Sequence, residues 1–128
     1  MTFLGLLAVG CGAAMGAWMR WWLAILLNPL FPTVPLGTFA ANLIGGYLMG
    51  LALGAFTSFQ TLSPEARLFI TTGFLGGLTT FSTFSAEATT LLARQQFGWG
   101  ALLIVGHVTG SIAMTFAGIA TARLLFRI

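Results

Sequence analysis

Long apolar stretches separated by short links make up almost the whole chain. The stretches cover Phe3–Leu27, Leu36–Phe56, Ala66–Ala93 and Gly98–Phe126. Each is long enough to cross a bilayer, because a helix of about 20 apolar residues spans the hydrocarbon core. The pattern predicts an all-α integral membrane protein with four transmembrane helices, forming a single domain over residues 1–128.

The links carry residues that end and begin helices. Pro29, Pro32 and Pro35 follow the first stretch, and each removes an amide donor and restricts the residue before it. Ser63 followed by Pro64 is typical of a helix start, with serine as the cap. We expect the first stretch to be a retained helix and not a signal peptide, because no basic leader precedes it.

Composition narrows the class of protein. Hydrophobic residues make up 58% of the chain and charged residues only 5%, against about 25% charged in an ordinary soluble domain. Five arginines and two glutamates give a net charge of +3, and the arginines are scattered and form no basic stripe for nucleic acid. Cys11 is the only cysteine, so we interpret it as a small packing residue.

Small residues recur every four positions on two helices, at Ala8, Gly12 and Gly16 and at Gly46, Gly50 and Gly54. Such faces let transmembrane helices approach closely. Thr38 and Asn42 continue the second row at the same spacing, so we expect both to face protein and not lipid.

The arginines give almost no orientation preference. With a cytoplasmic N-terminus, Arg67, Arg123 and Arg127 fall inside, whereas Arg20 and Arg94 fall outside. The positive-inside rule then hardly distinguishes the two topologies. We therefore expect both insertions to occur, and an antiparallel homodimer follows as a hypothesis.

The third stretch contains a poor helix centre. Two glycines, Gly76 and Gly77, precede Thr79 and Thr80, so we predict a helix break near Gly76 to Thr80. Backbone groups freed there must be buried in protein, hydrated or bound to an ion. Freed carbonyls favour a small cation, whereas the next helix N-terminus favours an anion. The alternative is a kink packed against a neighbouring helix.

Two sets of side chains are candidates for an ion path. Phe81 and Phe84 share one helix face, and the positive edges of their rings can contact an anion. His107, Ser111 and Thr115 recur every four residues as a polar ladder. The alternatives are ordinary packing for the rings and internal hydrogen bonds for the ladder.

Three further polar residues lie in or next to apolar stretches. Glu87 is an acid at membrane depth and thus a functional candidate, or else a partner of nearby hydroxyls or Arg94. Arg20 precedes two tryptophans, so we expect it at headgroup level or concentrating anions at a pore mouth. Asn42 can donate to an anion. No catalytic constellation is present, so the sequence does not indicate an enzyme.

Three motifs resemble the Fluc (CrcB) family of fluoride channels over essentially the whole chain. They are Gly16–Arg20, Pro35–Thr38 with Asn42 and Gly45-Gly46 after it, and Gly76–Ser85. The resemblance implies a dual-topology antiparallel dimer in the bacterial inner membrane, with two pores and a structural sodium ion at its centre. It also implies passive conduction that removes fluoride from the cytoplasm.

The resemblance also implies roles for individual residues. The carbonyls of Gly76 and Thr79 match the sodium ligands, Phe81 and Phe84 the pore phenylalanines, and Asn42 the pore asparagine. The polar ladder matches the family's polar track. With hydroxyls that suit fluoride included, the expected pore residues are Asn42, Phe81, Ser82, Thr83, Phe84, His107, Ser111 and Thr115. Supporting residues are Arg20, Thr38 and Glu87.

Two other classes of function are compatible with four short transmembrane helices. A proton-coupled small multidrug-type exporter of cationic compounds is also an antiparallel dimer, but it is expected to carry a glutamate in its first helix, where this chain has only Arg20. A non-transporting assembly subunit explains the glycine rows but not the helix-break motif.

Overall fold

The computed structural model describes all 128 residues, Met1–Ile128, and every regular element in it is helical. The elements are α1 (Phe3–Leu27) with a short 3-10 turn after it (Asn28–Leu30), α2 (Leu36–Ser58), α3 (residues 64–78), α4 (Phe81–Ala93) and α5 (Phe97–Phe126). The all-helical fold is confirmed, with boundaries within two residues of those predicted.

Three of these helices are long and apolar enough to cross a membrane: Phe3–Leu30 with its terminal turn, Leu36–Ser58 and Phe97–Phe126. α3 and α4 together form the remaining segment. Large apolar side chains are exposed around the outside, among them Leu4, Trp21 and Phe116. An apolar exterior of this extent requires a lipid environment. The chain is therefore a multi-pass membrane protein.

The predicted cap of the third segment is confirmed. Ser63 Oγ accepts a hydrogen bond from the amide of Ala66 at 3.2 Å, with Pro64 in the first helical position. Glu65 lies in the first turn, where the helix dipole favours an acid.

The glycine row of α2 packs directly on α5. A Cβ added to Gly50 would lie 3.0 Å from the amide nitrogen of Ile119 and would collide with the carbonyl of Thr115. On the facing helix, a Cβ on Gly118 would lie 2.7 Å from the amide nitrogen of Leu51. The two backbones are thus in contact, as the spacing of small residues predicts.

The row on α1 packs on α3 in the same way. A Cβ added to Gly12 would lie 2.8 Å from the Phe74 nitrogen, and one on Gly16 would lie 2.6 Å from the Leu78 nitrogen. α3 is therefore fixed against α1, and the residues that follow it have a defined position.

α3 changes helical type along its length. An α-helical start, Pro64–Leu68, gives way to a π-helical stretch, Phe69–Leu75, and then to one α-helical turn, Gly76–Leu78. Helical geometry ends there, because Thr79 (φ −82°, ψ 154°) and Thr80 (φ −150°, ψ 115°) are extended. α4 begins at Phe81, and Thr80 Oγ1 caps it by accepting from the amide of Thr83 at 3.1 Å.

Candidate ion pathway

An open groove of about 470 Å³ lies beside Thr79 and Thr80, and we refer to it as the polar groove. Many of the predicted site residues line it: Asn42, Gly76, Thr79, Phe81, Phe84, His107, Ser111 and Thr115. No arginine or glutamate is among its lining residues. The fold thus brings α2, α3, α4 and α5 together around an uncharged but polar surface.

Asn42 holds the extended residues in place. Its Oδ1 accepts from the Thr80 amide at 2.8 Å, and its Nδ2 donates to the Thr80 carbonyl at 3.1 Å. The same Nδ2 lies 3.1 Å from His107 Nδ1. An amide nitrogen has two hydrogens, so both donors of Asn42 are used within the chain. Thr38, one turn earlier, is 3% exposed, and the prediction that both residues face protein is confirmed.

His107 is 4% exposed and lies between two phenyl rings. Its ring centroid is 5.2 Å from that of Phe39 and 4.6 Å from that of Phe84. Because Nδ1 accepts from Asn42, the hydrogen-bond network assigns the ring hydrogen to Nε2. Nε2 is buried and has no hydrogen-bond partner. His107 thus lines the polar groove and has a buried N–H without a hydrogen-bond partner.

The other two members of the polar ladder differ from each other. Thr115 Oγ1 points to the carbonyls of Gly46, at 3.1 Å, and Ser111, at 2.9 Å, so its hydrogen is shared between them. Ser111 lines the polar groove and its hydroxyl makes no hydrogen bond within the chain. Within the ladder, Ser111 and His107 thus keep hydrogens that are not used in the chain.

The rings of Phe81 and Phe84 meet edge to face, with centroids 5.4 Å apart. Phe84 is 7% exposed and belongs to a core cluster with Ala88, Leu91 and Leu103, whereas Phe81 is 76% exposed. The ring of Phe84 is therefore packed inside the helical bundle, whereas the ring of Phe81 projects from the surface of the single chain.

The carbonyls of Gly76 and Thr79 accept no hydrogen bond. In a continuous helix Gly76 would accept from Thr80, but the Thr80 amide donates to Asn42 instead. Thr79 is extended, so its carbonyl is outside any helical ladder. Both residues line the polar groove, so two residues of its wall have unpaired backbone carbonyls.

Arg20 is directed toward the same region. Its Nε donates to the carbonyl of Gly77 at 3.1 Å, and its side chain is half-buried. A cation at a helix C-terminus is favourable, so Arg20 stabilises the end of α3.

The remaining predicted residues lie near the polar groove but not in its wall. Thr80 Oγ1 lies 3.3 Å from Ser82 Oγ and 3.0 Å from Thr83 Oγ1, so both hydroxyls belong to the start of α4. Thr38 Oγ1 donates to Glu87 Oε1 at 2.5 Å, and Glu87 Oε2 is buried without a partner. Glu87 therefore pairs with a hydroxyl, one of the two partners expected for it.

A membrane-embedded helical bundle with a polar, uncharged groove has the features of a transport protein that provides a path for an ion. Residues 7–119 match the family described as CrcB-like protein, Camphor Resistance (CrcB).

Three relatives carry the name Fluoride-specific ion channel FluC. That of Nitrosospira multiformis is 60% identical over 125 residues, covering 98% of each chain. That of Cupriavidus pinatubonensis is 54% identical over 122 residues, covering 95% of this chain and 97% of the relative. That of Pseudomonas putida is 57% identical over 116 residues, covering 91% of each.

The chain belongs to the CrcB family. The predicted family is confirmed. Membership in this family favours an ion channel over the multidrug exporter and the assembly subunit. Ion channels are a non-enzyme class of protein.

Proposed function

We propose that this chain is a passive fluoride channel of the bacterial inner membrane, whose working form is an antiparallel dimer. Its family and the names of its relatives support fluoride as the conducted ion. The observation that carries the mechanism is the polar groove, in which hydrogen-bond donors and phenyl rings converge without a fixed charge.

The lining suits an ion that must enter and also leave. Moving a small anion from water into a low-dielectric interior costs on the order of 20 kcal/mol in the idealised limit. A pore must replace the lost hydration with several donors, none of which retains the ion. Ser111 Oγ and His107 Nε2 have hydrogens without a partner, and the His107 ring would turn its buried N–H toward a passing ion. The edges of Phe81 and Phe84 add positive partial charge.

Asn42 has a supporting role in this mechanism. Its amide donates to the Thr80 carbonyl and to His107, so it has no spare hydrogen for an anion. It instead fixes the histidine tautomer and thereby keeps an N–H available at Nε2. A role as a direct fluoride donor requires one of these bonds to open.

A second copy completes the pathway. The polar groove of one chain is open, and its ring Phe81 projects outward with 76% of its surface exposed. Polar backbone groups that face lipid are strongly unfavourable. The open side of the polar groove must therefore be covered by protein. The near-equal arginine distribution supports a partner inserted in the opposite direction.

The helix break suits a structural sodium ion between the two copies. Unpaired carbonyl oxygens are the ligands that hard cations prefer, and those of Gly76 and Thr79 have no hydrogen-bond donor. The chain has no cluster of three acidic, histidine or cysteine side chains that would hold a metal. Two copies would contribute four such oxygens. A bound cation would relieve their mutual repulsion.

Fluoride efflux from liposomes tests the proposal. Purified protein in vesicles loaded with potassium fluoride should release fluoride when valinomycin carries the potassium, with no proton gradient present. Chloride-loaded vesicles serve as the control and should retain their anion. Absence of fluoride efflux, or uptake of organic cations driven by protons, would overturn the assignment.

A further inference from the structure

A second groove, of about 320 Å³, lies between α2, α3 and the end of α5. All ten residues that line it are hydrophobic, among them Ala55, Phe56, Leu62 and Phe126. It shares only Leu75 with the polar groove, and Leu75 is 2% exposed. We call it the apolar groove, and nothing in the ion pathway accounts for it.

Arg67 lies at one end of the apolar groove. Its Cζ is 4.8 Å from the ring centroid of Phe56. Its Nη2 donates to the carbonyl of Phe59 at 3.1 Å, and its Nε to that of Leu62 at 3.5 Å. Phe56 and Leu62 both line the apolar groove. A guanidinium has five N–H donors, so most of them remain free.

This end of the bundle is at headgroup level. Arg67 lies one turn after the helix cap at Ser63, next to the link between α2 and α3. The end of α5 reaches the same place, because the rings of Phe59 and Phe126 meet edge to face with centroids 5.1 Å apart. Arg123 and Arg127 flank Phe126 in the sequence, so three arginines belong to one end of the bundle.

The chain itself supplies no partner for this positive charge. Arg67 bonds to carbonyl oxygens and not to a carboxylate. The only acids are Glu65 and Glu87, and Glu87 pairs with Thr38. In the antiparallel dimer proposed above, the partner's Glu65 lies at the opposite membrane face. The chain's own Glu65, two residues before Arg67, forms no ion pair with it, because the guanidinium is directed to the carbonyls of Phe59 and Leu62. An anion from outside the protein fits the remaining donors.

We propose that the apolar groove binds an acyl chain of an anionic phospholipid whose phosphate is held by Arg67. Basic sites at the ends of transmembrane helices bind anionic headgroups, and each arginine near the surface contributes about 1 kcal/mol. The hydrophobic lining holds the chain, and the free donors of Arg67 select the headgroup. A second copy is excluded here by the proposed antiparallel dimer, whereas the contacts of Arg67 are seen in the single chain.

Native mass spectrometry of the purified full-length protein tests this directly. The protein is titrated with phosphatidylglycerol or with phosphatidylcholine of identical acyl chains, and bound lipid is counted. Wild type should prefer phosphatidylglycerol. Arg67→Gln should lower that preference about fivefold, and Arg67→Lys should keep most of it. Ala55→Phe fills the apolar groove and should reduce binding of both lipids.

Two variants are matched controls. Arg94→Gln removes an exposed arginine after α4, and Ala101→Phe adds a ring to an exposed face of α5. Both should bind lipid like wild type. An unchanged preference in Arg67→Gln, or an equal loss in Arg94→Gln, would overturn the proposal.

Ala55→Phe also separates a lipid site from a protein interface. If this variant dissociates the dimer and leaves lipid binding intact, a second copy and not lipid occupies the apolar groove. If it does not fold, Arg67→Gln and Arg67→Lys still decide the question. Loss of fluoride efflux in wild type, with its lipid preference present, would count against the proposed channel and not against the lipid site.

Discussion

The two hydrogen bonds from Asn42 to Thr80 give the sharpest test of the site. Asn42→Leu keeps a similar volume but removes both bonds, leaving the Thr80 amide and carbonyl unpaired. A buried polar group without a partner costs about 1–3 kcal/mol. Because water can enter the open groove and partly replace the bonds, we expect a loss of about 2–4 kcal/mol for the pair.

The loss should affect function as well as stability. Without Asn42, the tautomer of His107 is no longer fixed and Thr79 and Thr80 are free to shift. Fluoride efflux per folded protein should therefore fall strongly, together with the thermal midpoint in detergent. Asn42→Asp keeps the acceptor for the Thr80 amide but sets a carboxylate oxygen against the Thr80 carbonyl, so it should lose at least as much stability as Asn42→Leu.

Asn28 offers a matched control outside the ion pathway. Its Oδ1 accepts from the amide of Gly37 at 2.8 Å, so Asn28→Leu also removes a bond to backbone. This variant should lose stability but keep its flux per folded protein. Wild-type flux and an unchanged midpoint in Asn42→Leu would refute the view that Asn42 maintains the extended residues.

Four further predictions concern the rings, the sodium ion, the topology and the helix packing. Phe81→Ile or Phe84→Ile removes the ring edge but keeps apolar bulk, so efflux should drop by roughly tenfold with the dimer intact; intact efflux would make the rings packing residues. Replacing sodium by a bulky organic cation should abolish efflux and weaken dimer association, and sodium should restore both. Unchanged efflux would indicate that the helix break is a kink packed against a neighbouring helix and binds no ion. Adding two or three lysines at the N-terminus should force one topology and abolish activity until an oppositely oriented copy is co-expressed. Gly50→Ala should destabilise by about 1–3 kcal/mol through contact with Thr115, whereas a Cβ on Gly10 meets nothing within 4 Å, so Gly10→Ala should cost no stability.

The helices and their close-packing faces were predictable because they depend on local patterns, although which helices meet was not. Apolar length gives the spans, and the glycine rows give the faces on which α1 meets α3 and α2 meets α5. The composition of residues 76–80 also indicates an interruption, and the extended residues are Thr79 and Thr80. These features follow from neighbouring residues in the sequence.

The contacts at the site were not predictable in the same way. Asn42 meets Thr80 across 38 positions of the chain, and Arg20 meets Gly77 across 57. A sequence pattern gives the polar character of each residue but not which of its hydrogens are already used. The expected anion donor Asn42 is therefore saturated, whereas His107 has the free hydrogen. The π-helical stretch of α3 has no sequence signal that we can identify.

The interrupted third segment has a consequence for biosynthesis. Its helical parts are separate, and neither belongs to the three helices that are long and apolar enough to cross a membrane by themselves. Lipid cannot satisfy the backbone groups freed at the interruption, so this segment is less suited to enter lipid alone than a continuous helix is. The backbone contacts of Gly12 and Gly16 with α3 give the third segment a packing surface on α1, which is synthesised before it. The order of synthesis, with α1 and α2 emerging first, thus helps the nascent chain to integrate its least hydrophobic part.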